Sequence, residues 1–148
     1  MSGSLTDSPA HVIQKLMIDL SLGTLVTDNG SWPIYATNLP DSPNDSICVY
    51  NTTARLFGRA QPTGETQVQY GIQIAIRSTS VTTGDTKARA IAQSMDVDVM
   101  RDSVTISASV YMVQSVNRTT GVIHVGQEPT SKRRLFTINA VTDILQTT

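Results

Sequence analysis

The amino-acid sequence predicts one α+β domain, residues 1–148, with two helices packed on one face of a mainly antiparallel or mixed sheet. A chain of 148 residues has the usual size of a single domain. Two segments show helical periodicity, and most of the remainder alternates apolar and polar residues as strands do. The predicted order is α, β, β, β, α, β, β, β, which differs from the regular β-α-β repeat of a parallel sheet.

The first predicted helix covers residues 9–22. Ser8 is a suitable N-cap, Pro9 fits the first helical position, and Gly23 is expected to provide a left-handed stop. The apolar residues at spacings of three and four are Val12, Ile13, Leu16, Met17 and Leu20.

Two strands are predicted between this helix and residue 53. Residues 28–30 mark a turn, and residues 32–35 form a short strand that Pro33 limits to an edge or an end. Residues 46–53 alternate, with Ile47 and Val49 expected to point inward.

Residues 54–66 have no period and contain Gly58, Pro62 and Gly64, which predicts a long loop or projecting arm. Residues 67–78 then form the clearest strand, because every second residue from Val68 to Ile76 is apolar. The opposite face is polar enough to meet solvent or another subunit, and it carries Gln67, Gln69, Gln73 and Arg77.

The last part of the chain contains one helix and three predicted strands. Residues 82–85 open the helix, whose apolar stripe comprises Ala88, Ile91, Ala92, Met95 and Val99. A strictly alternating strand covers residues 104–112, a turn lies at 117–121, and strands follow at 122–125 and 135–144.

Composition excludes several classes of function. Eleven Lys and Arg residues against twelve Asp and Glu give a net charge of −1, which provides no overall field for binding a nucleic acid as the main task. Cys48, the one cysteine, is expected to be a small buried hydrophobe, in keeping with a reducing cytoplasm. No signal-peptide pattern or apolar run of membrane-spanning length is found, so neither export by a standard signal nor a membrane span is expected.

No constellation of residues predicts catalysis, and we expect no catalytic site, cofactor or metal. Asp41 and Asp45 lie four apart, but the neighbouring prolines prevent the helix that would align them, so a turn that leads into a strand is expected. His11 and His124 lack the spacing of a zinc site. The sequence does not exclude a histidine that folding alone would bring next to a nucleophile to activate it.

Two charged segments are candidate interfaces. The basic run Lys132, Arg133 and Arg134 either flanks a solvated turn or contacts an acidic partner. The predicted arm combines cationic and aromatic residues of types enriched at interfaces, although its phenylalanine could instead plug its own domain. The complete set of interface candidates is Arg55, Phe57, Arg59, Gln67, Gln69, Gln73, Lys132, Arg133 and Arg134.

Three segments in a fixed order resemble one family. Residues 39–52, LPDSPNDSICVYNT, are similar to the proline-and-aspartate turn and following I-x-V/L-Y-x-T strand of small phage minor capsid or tail-completion proteins. Residues 69–78 and the following Ala-rich helix resemble the family's Q-I-x-V-R-S strand and helix. Residues 126–139 resemble its closing P…R-x-x-F-x-x-N segment.

This resemblance implies a tail terminator of a long-tailed bacteriophage. It implies an α+β protein that assembles as a hexameric ring on the tail tube, stops tube polymerisation and presents the surface that docks to the head. The implied partners are other copies of the chain, the tube protein and a head–tail connector, while DNA passes through the lumen without specific binding. The implied location is the head-proximal end of the virion tail, after assembly in the host cytoplasm.

Two rival interpretations remain at this point. A head-completion or connector protein would bind portal-side proteins and not the tube. A small cytosolic hydrolase would need a concave pocket near His11 or His124.

Overall fold

The computed structural model describes residues 5–24, 31–41, 43–52, 55–59 and 66–147, and for 55–59 and 66–68 it describes the backbone only. Two helices and eight strands are found among these residues, which confirms the α+β class. The elements are α1 (Pro9–Asp19), β1 (Ile34–Ala36), β2 (Ser46–Asn51), β3 (Arg55–Arg59), β4 (Thr66–Ser78), α2 (Val81–Val97), β5 (Asp102–Ile106), β6 (Ser109–Arg118), β7 (Ile123–Gln127) and β8 (Arg134–Gln146).

Helix α1 begins as predicted and ends earlier. The Ser8 side chain accepts a hydrogen bond from the His11 amide, and Pro9 occupies the first turn. The left-handed residue after the helix is Ser21, with φ of 60°, and not Gly23. Gly23 serves close packing instead, because a Cβ there would lie 2.4 Å from the Trp32 carbonyl oxygen.

Helix α2 begins one residue before the predicted start, with Ser80 as its N-cap. Its predicted apolar stripe is buried, including Val99 just beyond the helix. Gly84 lets the first turn approach the sheet, since a Cβ there would lie 2.5 Å from Phe136 Cε2. Sequence alone assigned Gly84 only to the start of the helix.

The strands form one sheet in the order β1-β2-β4-β8-β6-β5, with β3 also paired to β4 and β7 also paired to β8. The β1–β2 pair is parallel and the other strand pairs are antiparallel. Strand β1 lies at the edge of the described sheet, as Pro33 predicted. The turn predicted at residues 28–30 lies outside the described residues.

The arm is more regular than its sequence indicates. Residues 55–59, expected to be loop, form β3 and pair with residues 66–69 of β4. Strand β8 pairs with residues 70–78 of β4. The part of β4 that pairs with β3 therefore extends past its pairing with β8. The expectation of a loop was wrong for these residues because backbone pairing does not require an alternating side-chain pattern.

The alternating segment at residues 104–112 is two strands and not one. Ser107, with φ of 53°, and Ala108 form a two-residue turn between β5 and β6. The reversal changes the buried parity, so Tyr111 and Val113 are buried in β6 while Val110 and Met112 are partly exposed.

A turn was predicted at residues 117–121, but residues 117 and 118 still belong to β6, and the bend that follows them does not reverse the chain. Strands β6 and β7 both run antiparallel to β8, one after the other. Between them the Thr119 amide donates to the Asn139 carbonyl, and the Asn139 amide donates to Thr120 Oγ1. Paired threonines thus keep the bend attached to β8.

Both helices pack on one face of the sheet and share one hydrophobic core. The register places Ile47 opposite Ile76, and Ile74 between Val49 and Ile138, so the apolar side chains of β2, β4 and β8 lie in rows under the helices. Burying each such side chain stabilises the fold by roughly 1.5–3 kcal/mol before the loss of conformational entropy. The opposite face of the sheet is only partly open, since Cys48 and Arg77 on it are buried.

Candidate interaction surfaces

The basic run at residues 132–134 lies in the turn between β7 and β8, where it divides into three different environments. Arg133 is buried, Lys132 is exposed with φ of 64°, and Arg134 begins β8 half-buried. Backbone hydrogen bonds between Glu128 and residues 132 and 133 close the turn. Of this predicted interface segment, Lys132 and Arg134 are therefore the residues whose charge reaches the surface.

Arg133 joins the turn to the segment that precedes β2. Its Nε lies 2.6 Å from Glu128 Oε1, its Nη2 lies 2.7 Å from Asp41 Oδ1, and its Nη1 donates to the Asp41 carbonyl. Desolvation opposes the charge of Arg133, yet the bonds to Asp41 and Glu128 outweigh it and raise the pKa of the guanidinium. Hydrogen bonds from Ser131 and Arg133 lower the pKa of Glu128, although partial burial acts against them.

A second buried guanidinium, that of Arg77, also binds the segment that precedes β2. Arg77, 2% exposed, donates to the Pro43 carbonyl at 2.7 Å and to Ser46 Oγ at 3.1 Å. Burial, and then the nearby charge of Arg133, lower the pKa of Arg77. The segment thereby covers the end of β4, and that part of its polar face is not open to a partner.

Asp41 and Asp45 have structural partners in this arrangement. Asp41 pairs with Arg133, and Asp45 Oδ1 accepts from the Thr79 amide at 3.4 Å. The bends at residue 41 and at residues 43–45 lead directly into β2. The predicted turn that leads into a strand is therefore confirmed.

The sheet face opposite the helices is partly open. Gln69 and Gln73 are half-buried on it, and Gln73 Nε2 donates to Asn139 Oδ1 at 3.1 Å. Their neighbours on β6 and β8 are mostly uncharged polar residues, with Asp143 as the acidic exception. This part of the predicted glutamine face is available for contact, whereas the side chain of Gln67 lies outside the described residues.

The β3–β4 ribbon positions the remaining predicted interface residues. Arg55 and Arg59 stand at the two ends of β3, opposite Gln69 and Thr66. Phe57 lies at an irregularity in the pairing between Leu56 and Gly58. The side chains of Arg55, Phe57 and Arg59 lie outside the described residues, so their role as contacts stays a prediction.

The two histidines occupy separate sites with structural neighbours. A His11 ring nitrogen lies 2.7 Å from Ser8 Oγ, and His124 stacks on Phe136 with ring centroids 4.8 Å apart. Burial raises the pKa of the Cys48 thiol, which disfavours the nucleophilic thiolate. No group of three potential metal ligands occurs among the described residues.

A shallow concavity lies between α2 and the β6–β7 bend, and neither histidine lines it. Its charged residues, Arg118 and Asp96, form a bidentate ion pair at 2.6–3.1 Å that joins the helix to the sheet. The hydrogen bond from Arg118 lowers the pKa of Asp96, with desolvation acting against it. The concavity is therefore the junction between α2 and the sheet, which this ion pair holds together.

Sequence reasoning missed the partners that decide what the predicted residues do. Glu128 lies five residues before Arg133, so the turn containing Pro129 could have indicated that contact. Asp41 and Asn139 carry no such signal, because they meet Arg133 and Gln73 across 92 and 66 residues of sequence. Only the three-dimensional arrangement identifies those pairs.

Among the described residues, no helix has the length and apolar character that a membrane crossing requires.

Comparisons with known proteins assign the chain to a family. No curated protein matches the chain. One solved structure is similar at 16% identity over 77% of this chain and 79% of its own, but its TM-score of 0.42 is too low to carry an argument. A family model described as "Bacteriophage tail terminator protein" matches residues 16–134. The chain therefore belongs to the bacteriophage tail terminator family, whose members are structural proteins of the phage tail.

Proposed function

We propose that this chain caps the tube of a phage tail as a ring of identical subunits, with six as the expected number. The ring stops polymerisation of the tube protein and provides the surface to which the head docks, at the head-proximal end of the tail. The observation that carries this proposal is the family match over residues 16–134. DNA passes through the lumen without specific binding.

The distribution of surfaces supports this role. A closed ring needs two different, complementary faces on each subunit. Helices cover one face of the sheet, whereas Gln69 and Gln73 leave part of the other face open. The β3–β4 ribbon extends past the pairing of β4 with β8, in a position to reach an adjacent subunit or the tube.

The test combines the purified chain with the cognate tube protein. Native mass spectrometry of the chain alone and with tubes measures its assembly, and electron microscopy measures tube length. A mass of about six subunits, or a ring that forms only on tubes, together with arrested tube growth, is the expected result.

A stable monomer that leaves tube growth unchanged would contradict the terminator role. Capture of portal-side proteins without tube binding would support a head-completion connector instead. Both partners are therefore offered in the same pull-down.

A further inference from the structure

The exposed large apolar side chains collect at two opposite ends of the molecule. At the end where β4 stops and β8 starts lie Val81 (42% exposed), Ile123 (40%) and Val125 (57%). Toward the end where β8 stops lie Val97 (65%) and Met100 (75%), at and just after the C-terminus of α2, and Leu145 (50%), on the opposite face of the sheet. Helix α2 begins at the first end with Val81 and runs toward the second, and its last turn is tied to the middle of β8 through Asp96 and Arg118, which lies opposite Ala140.

Charge divides the same way. At the first end Arg133 pairs with Asp41 and Glu128, whereas Lys132 and Arg134 have no ion-pair partner in the described part of the chain. Asp45, whose carboxylate accepts from the neutral Thr79 amide, is the acidic residue among them. We call this the basic end.

The second end is acidic. It holds Asp7, Asp98 and Asp102 on the side of the helices and Asp143 on the opposite face of the sheet, with Arg101 as the basic residue among them. Hydrogen bonds from Tyr111, Ser94 and Ser115 hold Asp7, Asp98 and Asp143, but none of these donors carries a positive charge. One oxygen of Asp102, Oδ2, is buried without a hydrogen-bond partner among the described residues. We call this the acidic end.

We propose that the basic end of one copy docks on the acidic end of the next copy. This inference rests on the proposed ring and identifies its subunit contact. Apolar side chains form the centre of the contact, and Lys132 and Arg134 pair with carboxylates at its rim, an arrangement typical of protein interfaces.

The occupant is a second copy of this chain because the two ends complement each other within one sequence. Docking basic end on basic end would bring Lys132 and Arg134 against their own copies, and like charges at an interface are unfavourable. A head-to-tail contact avoids this repulsion and is the type of contact that a ring repeats.

Reversing the charges of each end tests the proposal. The basic-end variant carries Lys132→Glu and Arg134→Glu, and the acidic-end variant carries Asp98→Lys and Asp143→Lys. Native mass spectrometry and sedimentation at physiological ionic strength measure association, and circular dichroism verifies folding. We expect each variant alone to associate roughly tenfold or more weakly than the unmodified chain.

An equimolar mixture of the two variants should recover association. In that mixture each reversed end meets its oppositely charged counterpart, so subunits can alternate around a ring with an even number of members. Lys15→Glu with Arg89→Glu is the matched control, because it changes net charge as the basic-end variant does at exposed positions away from both ends. Met100→Ser tests the apolar part without touching the core and should also weaken association.

Undiminished association of both variants, or two weakened variants whose mixture stays weak, would overturn the proposal. A chain that remains monomeric both in solution and on tubes would also overturn it. Arrest of tube growth in those same cases would leave the terminator role intact, so the two proposals fail separately.

Discussion

Three adjacent basic residues behave differently because a turn, and not a periodic element, carries them. Lys132 adopts a left-handed backbone conformation and is exposed. Arg133 is then buried between Asp41 and Glu128, while Arg134 starts β8. A basic run in sequence is therefore divided into one structural guanidinium and two surface charges.

Arg133→Ala should lower the free energy of unfolding by about 2 kcal/mol, because it removes charge-assisted bonds and leaves Glu128 partly buried without its cation. Asp41→Asn is the matched control. The Asp41 side chain is 98% exposed, so its replacement should change stability by less than about 0.5 kcal/mol. Urea unfolding measures both values, and equal effects of the two substitutions would contradict this account.

Acid should weaken the same contact. The pKa of Glu128 is lowered in the folded chain by Ser131 and Arg133, so its contribution is present above the ordinary glutamate pKa of 4.5. It is lost as the pH falls through the lower folded pKa. Glu128→Gln should therefore be less stable than the unmodified chain at pH 7, and the two stabilities should converge below about pH 4.5.

Urea unfolding across pH 3–7 measures that convergence. Asp19→Asn, which removes an exposed i,i+4 pair with Lys15, provides a comparison expected to change stability by less than about 0.5 kcal/mol at pH 7. A deficit of Glu128→Gln that persists undiminished at the lowest pH would show that the carboxylate charge is not its cause.

At the scale of elements, periodicity predicted the two helices and the long strands but not the points where strands break. Helix α1 and strand β4 follow from regular apolar spacing, since burial of one face imposes that spacing. The reversal at Ser107 was not predictable, because Ser107-Ala108 continues the alternation and lacks the Asn-Gly or Asp-Gly signal of a tight turn. The bend at residues 119–122 has the polar sequence of an ordinary turn. Its hydrogen bonds to β8 nevertheless keep the chain running in the same direction.

The same limit applies to the candidate surfaces. Lys132 and Arg134 could be proposed from charge alone, and Gln73 from the alternation of β4. The covering of Arg77 by residues 43–46 could not be predicted, because it depends on a contact between segments more than 30 residues apart. Local pattern identifies which face a residue occupies, and tertiary packing decides whether that face stays open.

Gly84→Ala tests how closely α2 approaches the sheet. Alanine should favour an isolated helix by about 1 kcal/mol over glycine. Here its Cβ would lie 2.5 Å from Phe136 Cε2 and 3.2 Å from Ser78 Cβ, and overpacking typically costs about 1–3 kcal/mol. We expect a net loss of roughly 1 kcal/mol in thermal or urea unfolding.

Gly121→Ala is the matched control for that substitution. Its Cβ would meet nothing within 4 Å, so stability should stay unchanged or rise by up to about 1 kcal/mol. A Gly84→Ala protein more stable than the unmodified chain would contradict the close approach of helix and sheet.

At the scale of the whole molecule, stability and assembly are assigned to different regions. The core lies between the helices and one sheet face, whereas the predicted contacts lie at the two ends, on the open face and on the β3–β4 ribbon. Substitutions in these regions should therefore separate folding from assembly. The ribbon should separate folding from assembly most clearly, because residues 66–69 of β4 lie beyond the part of β4 that pairs with β8.

Replacing Arg55, Phe57 and Arg59 together with alanine should change the free energy of unfolding by less than about 1 kcal/mol, because β3 adds its backbone pairing outside the core. The same protein should lose arrest of tube growth, since the ribbon is where we expect contact with an adjacent subunit or the tube. Ile72→Ala, a fully buried position on the core part of the same strand, should do the reverse. It should cost about 2–5 kcal/mol while the remaining folded protein still arrests growth.

Full arrest by the triple variant would mean that the ribbon makes no essential contact, and a large loss of its stability would mean that Phe57 belongs to its own domain's core.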